Sequence, residues 1–310
     1  MDRDLLIHMP VVLAVARRGG FAPAAAELGM SPSAVSHAIR TVEDRLDAPL
    51  FARTTRSVAL TEAGERLVAA IAPAFFEIGE AVERLQAARG HVTGLLRLNV
   101  PRTALPIAIT PVLAELSVRH PGLVVEVTSD DSLTDIVAGG YDAGVRLGGM
   151  IAQDMVALRL TSPFKAIMVA TPGYLAARGE PRSIGDLARH NCIGYRLLAS
   201  GGLYAWDMLE AGEDVTVSVE GTVRVTDATY ARDLAVAGIG VAYVFEPLVR
   251  HELKAGTLRW VLPQSAIEET GLFLYYPQRA SRAPKLRAFI ESAKAVLDAS
   301  GRDRPDRPFR

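Results

Sequence analysis

The order of apolar, small and polar residues near the N-terminus predicts two short helices joined by a tight turn. An Ala-rich run over 21–28 keeps its apolar residues at helical spacing. Gly29 follows it and accepts the left-handed backbone conformation that a tight turn requires. Ser31 and Pro32 are then the residue types preferred at the N-cap and in the first turn of a helix. We therefore expect a second helix over 32–46.

The second predicted helix has one apolar face and one polar face. The apolar residues recur at the spacing of a buried helix face: Val35, Ile39, Val42 and Leu46. The other face carries small polar groups and a cation: Ser33, Ser36, His37, Arg40 and Thr41. Two short helices whose second member presents such groups suit insertion into the major groove of DNA. The pattern indicates a helix-turn-helix.

A basic segment follows the helix-turn-helix. Apolar residues at 48–51 close the unit, and Arg53 and Arg56 lead into a short strand over 57–60. A basic hairpin beside a recognition helix is a wing, in which arginines reach phosphates or the minor groove. Because Ser31 already caps the helix, the remaining polar side chains can contact bases or phosphates. The predicted DNA-binding residues are Ser31, Pro32, Ser33, Ser36, His37, Arg40, Arg53 and Arg56.

The N-terminal part of the chain resembles the LysR-type transcriptional regulators through the run AAAELGMSPSAVSHAIRTVEDRLDAPLFARTTRSVALTEAGE. The resemblance implies a winged helix-turn-helix that binds double-stranded promoter DNA as paired half-sites. It also implies a homodimer or homotetramer, since proteins of this family dimerise through the helix that follows. Gly20 stands where the family often has a serine, so the N-cap of the second helix of the domain is expected to be weaker.

A long helix is predicted over 61–88, with large and small residues that recur every seven positions. The rows are Val68, Phe75 and Val82; Ile71, Ile78 and Leu85; and Ala74, Ala81 and Ala88. Seven-residue spacing favours close pairing with a second helix. The alternative is a helix packed on its own domain, because Pro73 interrupts the pattern and can kink the helix. The run at 89–94 is typical of a hinge.

Beyond the hinge, strands alternate with helices, which predicts α/β layers with helices on both faces of a sheet. A short helix is expected over 132–138, between strands that end at Thr128 and Leu147. This part resembles the two-subdomain effector region of LysR-type regulators, through the runs LRLNVPRT, DDSLTDIVAGGYDAGVRLG, PGYLAARGEPRSIGDLARHNCIGYR and AVAGIGVAYV. The resemblance implies a fold related to periplasmic binding proteins, in which the chain crosses twice between subdomains and a ligand sits in the cleft.

The predicted fold class is α/β, with an all-α-type N-terminal winged helix-turn-helix, a long linker helix and a C-terminal two-subdomain region like periplasmic binding proteins. The expected domains are a DNA-binding domain at 1–61, a linker helix and hinge at 62–94, an effector-binding domain at 95–298 and a disordered tail at 299–310. Within the effector-binding domain, subdomain one is expected over 95–163 and 268–298, and subdomain two over 164–267.

Ligands in open α/β folds collect at the carboxyl ends of strands, where helix N-termini expose backbone donors. The expected effector-binding residues at such ends are Arg102, Thr103, Ser132, Leu133, Arg146, Thr226, Asp227, Tyr243 and Phe245. Arg102 and Arg146, with hydroxyls beside them, suit an anionic ligand through charge-assisted hydrogen bonds. The alternative is that both arginines pair with acids such as Asp130, Asp131 or Asp142 and the cleft takes a neutral ligand.

No catalytic or metal-binding set is expected. The histidines are scattered, and none stands at metal-ligand spacing with cysteine or acidic partners. Gly238 and Gly240 resemble part of a dinucleotide loop, but they precede a strand rather than follow one, so helix capping explains them better. The single cysteine, Cys192, fits a buried strand position. We therefore predict no enzyme activity, no cofactor and no metal.

Charge and hydropathy limit the partners of the chain. A formal net charge of −1 means that DNA contacts must come from a local basic patch. No apolar run approaches the roughly 20 residues that span a bilayer, and the N-terminus does not resemble a signal peptide. A cytoplasmic protein without a membrane partner is therefore expected.

These observations together predict a transcription regulator of the LysR type whose promoter binding responds to a small organic effector. Two alternatives stay open at this point. One is a solute-binding or enzymatic α/β domain whose N-terminal module serves protein interaction. The other is a constitutive DNA-binding protein whose cleft is closed by its own side chains.

Overall fold

Two units of the chain fold around separate cores: Met1–Thr93 with Ala138–Gly140, and Gly94–Val137 with Tyr141–Arg310. The computed structural model describes residues 3–53, 58–87, 92–132, 134–152, 154–198 and 200–299. Residues 89–91 of the predicted hinge and 300–310 of the predicted tail therefore lie outside the described residues.

The first unit contains a cluster of three helices, a two-stranded hairpin and a long helix. Its elements are α1 (Arg3–Arg18), α2 (Phe21–Leu28), α3 (Pro32–Leu46), β1 (Phe51–Arg53), β2 (Val58–Leu60) and α4 (Glu62–Ala87). The core lies between α1, α2 and α3, where Val12, Val15, Val35 and Ile39 have no exposed surface. Burial of a side chain of this size stabilises the fold by roughly 1.5–3 kcal/mol. The apolar face of α3 is therefore held against the core, and its polar face points outwards.

The predicted turn between α2 and α3 is confirmed. Gly29 ends α2 in the left-handed conformation with φ of 63°. The Ser31 hydroxyl accepts a hydrogen bond from the backbone N–H of Ala34 at 3.2 Å, and Pro32 begins α3. Gly20 precedes α2 and supplies no capping side chain, as expected. Local capping chemistry therefore fixes where both helices begin and end.

One residue of the predicted buried face of α3 is exposed. Val35, Ile39 and Val42 are fully buried, but Leu46 is 39% exposed. The chain leaves α3 directly after Leu46, at Asp47, which has a φ of 48°. The apolar spacing is correct, but the last turn of the helix extends past the core that the earlier turns contact. The prediction that Leu46 is buried was wrong.

The long helix α4 has two parts with different surroundings. Val68, Ile71 and Phe75 pack against the core of the first unit. Ile78 and Val82, one turn apart and further along the helix, are 59% and 51% exposed. Packing on its own domain, the alternative considered above, therefore accounts for the first half of the seven-residue pattern and leaves the second half unexplained. The side chains at 85 and 88 lie outside the described residues.

The second unit alternates strands and helices as predicted. Its strands are β3 (Gly94–Val100), β4 (Leu123–Ser129), β5 (Ala143–Leu147), β6 (Met155–Arg159), β7 (Phe164–Ala170), β8 (Gly194–Tyr195), β9 (Trp206–Glu210), β10 (Glu213–Val217), β11 (Arg224–Val225), β12 (Ala242–Phe245), β13 (Arg259–Val261), β14 (Ile267–Glu269) and β15 (Leu272–Pro277). Its α-helices are α5 (Thr110–Arg119), α6 (Pro172–Arg178), α7 (Ala228–Val236), α8 (Glu246–Ala255) and α9 (Pro284–Ala299).

Two larger sheets organise these elements. The first sheet has the order β4-β3-β5-β15-β6, with β3 parallel to β4 and β5. In the second sheet β7 lies between β12 and β13 and also pairs with β14, always antiparallel. Its two faces are covered by separate apolar clusters, one with α7 and α8 and the other with β9. Parallel strands β3 and β4 both end at the same edge of the first sheet, as the site prediction assumed.

The chain passes between the two sheets twice. It leaves the first sheet after β6 and returns between β14 and β15. Leu160 donates its backbone N–H to the carbonyl of Leu272 at 2.8 Å, so the two crossing segments lie side by side. β14 extends to Glu269, so pairing within the second sheet runs two residues beyond the expected boundary after position 267.

The short helix expected over 132–138 does not form. None of the described residues at 132–138 is helical, and those at 136–138 form a turn. The Asp130 carboxylate accepts hydrogen bonds from the Ser132 N–H at 2.9 Å, from the Ser132 hydroxyl at 2.8 Å and from the Thr134 hydroxyl at 3.1 Å. Local side-chain bonds of this kind compete with the helical hydrogen-bond pattern, which explains why the helix prediction was wrong.

Candidate DNA-binding surface and effector-binding site

The polar face of α3 is accessible. Ser33, His37 and Arg40 are exposed, whereas Ser36 is half-buried. Arg40 forms no ion pair with any of the described residues. An exposed arginine beside small hydroxyls on a recognition helix can donate to phosphates or to base edges. The arrangement therefore suits a surface that reads the major groove.

The first predicted contacts, Ser31 and Pro32, are engaged in shaping the helix terminus. Both residues are exposed. The Ser31 hydroxyl accepts from the backbone of Ala34 and lies 3.0 Å from the Ser33 hydroxyl. Ser33 is thus linked to the cap while its side chain stays at the surface. If the Ser31 side chain contacts DNA, it does so with the hydroxyl that already accepts the capping hydrogen bond from Ala34.

The wing is attached to α3 by side-chain hydrogen bonds. β1 and β2 pair antiparallel, with Phe51 opposite Leu60. Glu43 accepts from the backbone N–H groups of Leu50 and Phe51. A side chain at Gly64 would meet the Leu50 carbonyl at 2.2 Å, so glycine is required where α4 approaches this strand. Arg53 ends β1, but its side chain and the whole of Arg56 lie outside the described residues.

Four residues that are distant in the chain meet after the carboxyl ends of β3 and β4. The backbone N–H of Arg102 donates to Asp131 Oδ1 at 2.9 Å, and its guanidinium Nη1 lies 3.4 Å from Asp227 Oδ2. The Tyr195 hydroxyl lies 3.5 Å from Asp131 Oδ2. Arg102 and Asp131 follow strands of the first sheet, whereas Tyr195 and Asp227 belong to the segments that adjoin the second. We name these residues the Arg102 cluster.

The Asp227 carboxylate also bonds to the first turn of α7. Its Oδ1 accepts from the backbone of Thr229 at 2.8 Å and of Tyr230 at 3.4 Å, and so caps α7. Partial burial opposes ionisation, but the Thr229 and Tyr230 bonds and the Arg102 charge outweigh it, so the pKa of Asp227 lies below its ordinary value. Burial, then the negative charge of Asp131, raises the pKa of Tyr195 to about 12. The cluster therefore holds the ionised carboxylate of Asp227 near a neutral phenol.

Arg146 is buried, at 3% exposure, whereas the Arg102 side chain is 40% exposed. It donates to the carbonyl of Val145 at 2.8 Å, to Asn99 Oδ1 at 2.8 Å and to the carbonyl of Ser132 at 2.5 Å. It thereby holds the backbone of Ser132 against the first sheet. Sequence reasoning missed Asn99, although a lone amide in the apolar strand LRLNV was a usable signal.

The remaining predicted effector residues are spread over the second unit. Thr103 is 8% exposed beside Arg102, and Thr226 is exposed beside Asp227. Tyr243 stacks on Trp206 with ring centroids 5.5 Å apart, and the centroid of the Phe245 ring lies 5.1 Å from that of Phe164. These two aromatic contacts do not include the Arg102 cluster. Leu133 lies outside the described residues.

The alternative in which both arginines pair with acids agrees with the structure for Arg102 only. Arg102 does pair with an acid, but with Asp227 rather than with the three acids that the sequence suggested. Asp142 instead forms its ion pair with Lys285 at 3.0 Å. Arg146 bonds to carbonyl and amide oxygens, and its charge contributes to lowering the pKa of Asp130, after the hydrogen bond from the Ser132 backbone.

The described residues carry no sign of metal binding, a membrane-spanning helix or a reactive thiol. In the parts of the chain that the structure describes, no three His, Cys, Asp or Glu side chains are grouped so as to hold a metal ion. None of the helices described is both long and apolar enough to cross a membrane. Cys192 is 1% exposed, and burial raises the pKa of its thiol to about 12. The expected core position of this cysteine is confirmed.

Both parts of the chain match known families. Residues 6–65 match the bacterial regulatory helix-turn-helix proteins of the lysR family, and residues 89–298 match the LysR substrate binding domain. Together with the two units described above, these matches define a DNA-binding regulator that carries a separate ligand-binding region. The chain belongs to the LysR family of transcriptional regulators.

The similarity extends over nearly the whole chain. It is 38% identical to the HTH-type transcriptional regulator YcaN of Escherichia coli, over 94% of this chain and 96% of that protein. It is 33% identical to PgrR of the same organism, over 95% and 98%. Full-length AphB of Vibrio cholerae superposes with a TM-score of 0.62 at 22% identity, over 94% and 98% of the two chains. CrgA of Neisseria meningitidis gives 0.60 at 25% identity, over 96% and 99%.

These matches confirm the family resemblance, the fold class and the regulator function inferred from the sequence. They do not support the alternative in which the N-terminal module serves protein interaction, because residues 6–65 match a family of helix-turn-helix regulators.

Proposed function

We propose that this regulator acts in the cytoplasm as a homodimer or homotetramer that binds promoter DNA through α3 and the wing. The expected contacts are Ser31, Pro32, Ser33, Ser36, His37, Arg40, Arg53 and Arg56. The accessible polar face of α3 supports the helix contacts, since it adjoins the wing through Glu43. The net charge of −1 supports binding through this local surface rather than through the whole chain.

The effector of this proposal is a small organic molecule that carries a carboxylate and binds at the Arg102 cluster. The observation that carries it is the contact between Arg102 and Asp227, which joins the edge of the first sheet to the start of α7. Arg102 is the better anchor of the two predicted arginines. Its side chain is 40% exposed, whereas Arg146 is buried among backbone carbonyls. The protein itself is not an enzyme in this proposal.

A ligand at this position touches residues of both predicted subdomains, so it can favour one relative orientation of the two. It does so only through a difference in affinity for the two orientations. The proposed boundaries remain 95–163 with 268–298 for one subdomain and 164–267 for the other. The proposed route to DNA is the linker and hinge at 62–94, which follow the DNA-binding domain at 1–61.

Three measurements test this function on the full-length protein. Selection from random DNA identifies a preferred site, and thermal melting against a panel of small organic acids identifies a ligand, since binding to the native state raises the midpoint. The ligand is then expected to change affinity for the selected DNA. Arg102→Ala should remove the melting shift. A protein that binds its site but responds to no ligand would instead be constitutive, with the Arg102–Asp227 contact closing the site.

A further inference from the structure

Two carboxylate oxygens in the Arg102 cluster make only long contacts. Asp131 Oδ2 has the Tyr195 hydroxyl at 3.5 Å, and Asp227 Oδ2 has the Arg102 guanidinium at 3.4 Å. Charge-assisted hydrogen bonds are normally about 2.7–2.9 Å long. The other oxygen of each carboxylate is occupied at short range, by the Arg102 backbone and by the cap of α7. One oxygen of each acid therefore remains able to accept a strong donor.

The charges of the cluster are unequal. One guanidinium faces two carboxylates, and burial keeps the Tyr195 phenol neutral. No lysine, arginine or histidine nitrogen of the described residues forms an ion pair with Asp131. A cation supplied by a ligand would compensate this excess of negative charge.

Arg102 keeps most of its donors for a ligand. Only Nη1 contacts Asp227, and neither Nε nor Nη2 bonds to any of the described residues. The edge formed by Nε and Nη2 matches the two oxygens of a carboxylate. The cluster thus offers two acceptor oxygens for a cation and a forked donor for an anion, from residues of both predicted subdomains.

We propose that the effector is a small zwitterion of the amino acid type. Its protonated amine binds between the carboxylates of Asp131 and Asp227, and its carboxylate binds the free edge of the Arg102 guanidinium. This inference rests on the proposed function and names the chemical class of its ligand. A simple anion would meet the same two carboxylates without compensation, whereas an ammonium group supplies three donors and a positive charge to them.

The first test uses the unmodified full-length protein. Thermal melting is measured with each standard L-amino acid, and the affinity of the best ligand is then measured by calorimetry. Its N-acetyl derivative lacks the cation, and its carboxamide lacks the anion. Each derivative is expected to bind about 10- to 100-fold more weakly than the parent amino acid, because each loses a charge-assisted interaction.

Variants identify the residues. Asp131→Asn and Asp227→Asn remove charge but keep an oxygen, and asparagine still caps a helix well. Arg102→Gln removes the guanidinium. Each is expected to weaken binding of the amino acid about 10-fold or more. Asp233→Asn, on α7 with a side chain 58% exposed, is the matched control and should bind like the parent.

Several results would overturn the assignment. Equal affinity for the N-acetyl derivative would make the ligand an anion, and equal affinity for the carboxamide would make it a simple amine. Absence of a melting shift with all of the amino acids also overturns it. If an organic acid without an amine then binds and alters DNA affinity, the effector function survives and only the ligand class fails. If an amino acid binds without altering DNA affinity, the class survives and the proposed regulation fails.

Discussion

Glu43 Oε1, in the recognition helix α3, accepts a hydrogen bond from the backbone N–H of Leu50 at 2.8 Å. The same oxygen lies 3.2 Å from the N–H of Phe51, the first residue of the wing strand β1. The Glu43 carboxylate thus links α3, which is expected to contact the bases of DNA, to the hairpin that is expected to contact the DNA backbone. The position of the hairpin is therefore fixed relative to α3.

Replacing Glu43 with alanine should loosen this link. The two backbone donors lose their acceptor, and leaving such groups unsatisfied costs about 1–3 kcal/mol. We expect a lower free energy of unfolding in urea and weaker binding to the selected DNA site. Asp44→Ala, at the adjacent exposed position, is the control and should change stability by no more than about 0.5 kcal/mol. Equal stability of the two variants would show that the link contributes nothing.

Arg53→Ala and Arg56→Ala should weaken DNA binding to many sequences alike. Each phosphate contact that is lost lowers the magnitude of the log–log salt slope by about 0.9. Fluorescence anisotropy of labelled DNA at several salt concentrations measures the slope. Arg189→Ala, in the second unit with a side chain 78% exposed, is the control and should keep the parental slope. Parental slopes in both wing variants would remove these arginines from the interface.

Ser33→Ala and His37→Ala should change which DNA sequences are preferred. Both side chains are exposed near the start of α3, where a recognition helix contacts base edges. Loss of one specific base contact costs roughly 1–3 kcal/mol at one base pair. Selection from random DNA with each variant measures this, and Ser117→Ala in α5 serves as the control. An unchanged preferred sequence would mean that these residues contact only the backbone of DNA.

The N-terminal elements could be predicted because their signals are local. The turn at Gly29 and the cap at Ser31 depend on neighbouring residues alone. Leu46 was misassigned because periodicity does not show where a core ends. The segment after Asp130 was misassigned because hydroxyl bonds to that carboxylate displaced a helix that the apolar residues favoured.

The proposed effector residues were harder to place because their partners are distant in the chain. Strand ends drew attention to Arg102 and Arg146, but the alternation of strands and helices does not say which arginine is buried. Asp227 lies 125 positions from Arg102, and only the two crossings between the sheets bring them together. The position of the Tyr243 ring could not be predicted either. It stacks on Trp206 of β9, and nothing in the sequence indicates that these two residues meet.

Cys192 should be unreactive in the native protein. Its thiol is buried, and a pKa raised to about 12 keeps it protonated well above neutral pH, so little thiolate forms. We expect slow reaction with a disulfide reagent at pH 8 and complete reaction of one thiol per chain in urea. Cys192→Ser provides the blank. DNA binding should also be insensitive to mild peroxide, and fast native labelling would contradict this account.

Ile78→Asp in α4 should dissociate the proposed dimer. The first half of this helix packs on its own unit, but Ile78 and Val82 are more than half exposed, at 59% and 51%. Exposed apolar residues at helical spacing suit a second copy of the same helix. A dimer interface that buries these positions would contain the unpaired carboxylate of the variant. Burying an unpaired charge among apolar side chains destabilises such an interface.

Analytical ultracentrifugation measures the outcome directly, because a lost interface lowers the sedimenting mass. Leu198→Asp places the same charge at another apolar position that is 56% exposed, in the second unit, and should keep the parental mass. The Ile78→Asp variant should also bind paired half-sites more weakly, since two linked recognition helices bind with a higher effective concentration than one. If it sediments at the parental mass, the pairing surface lies elsewhere and the exposed half of α4 has another partner.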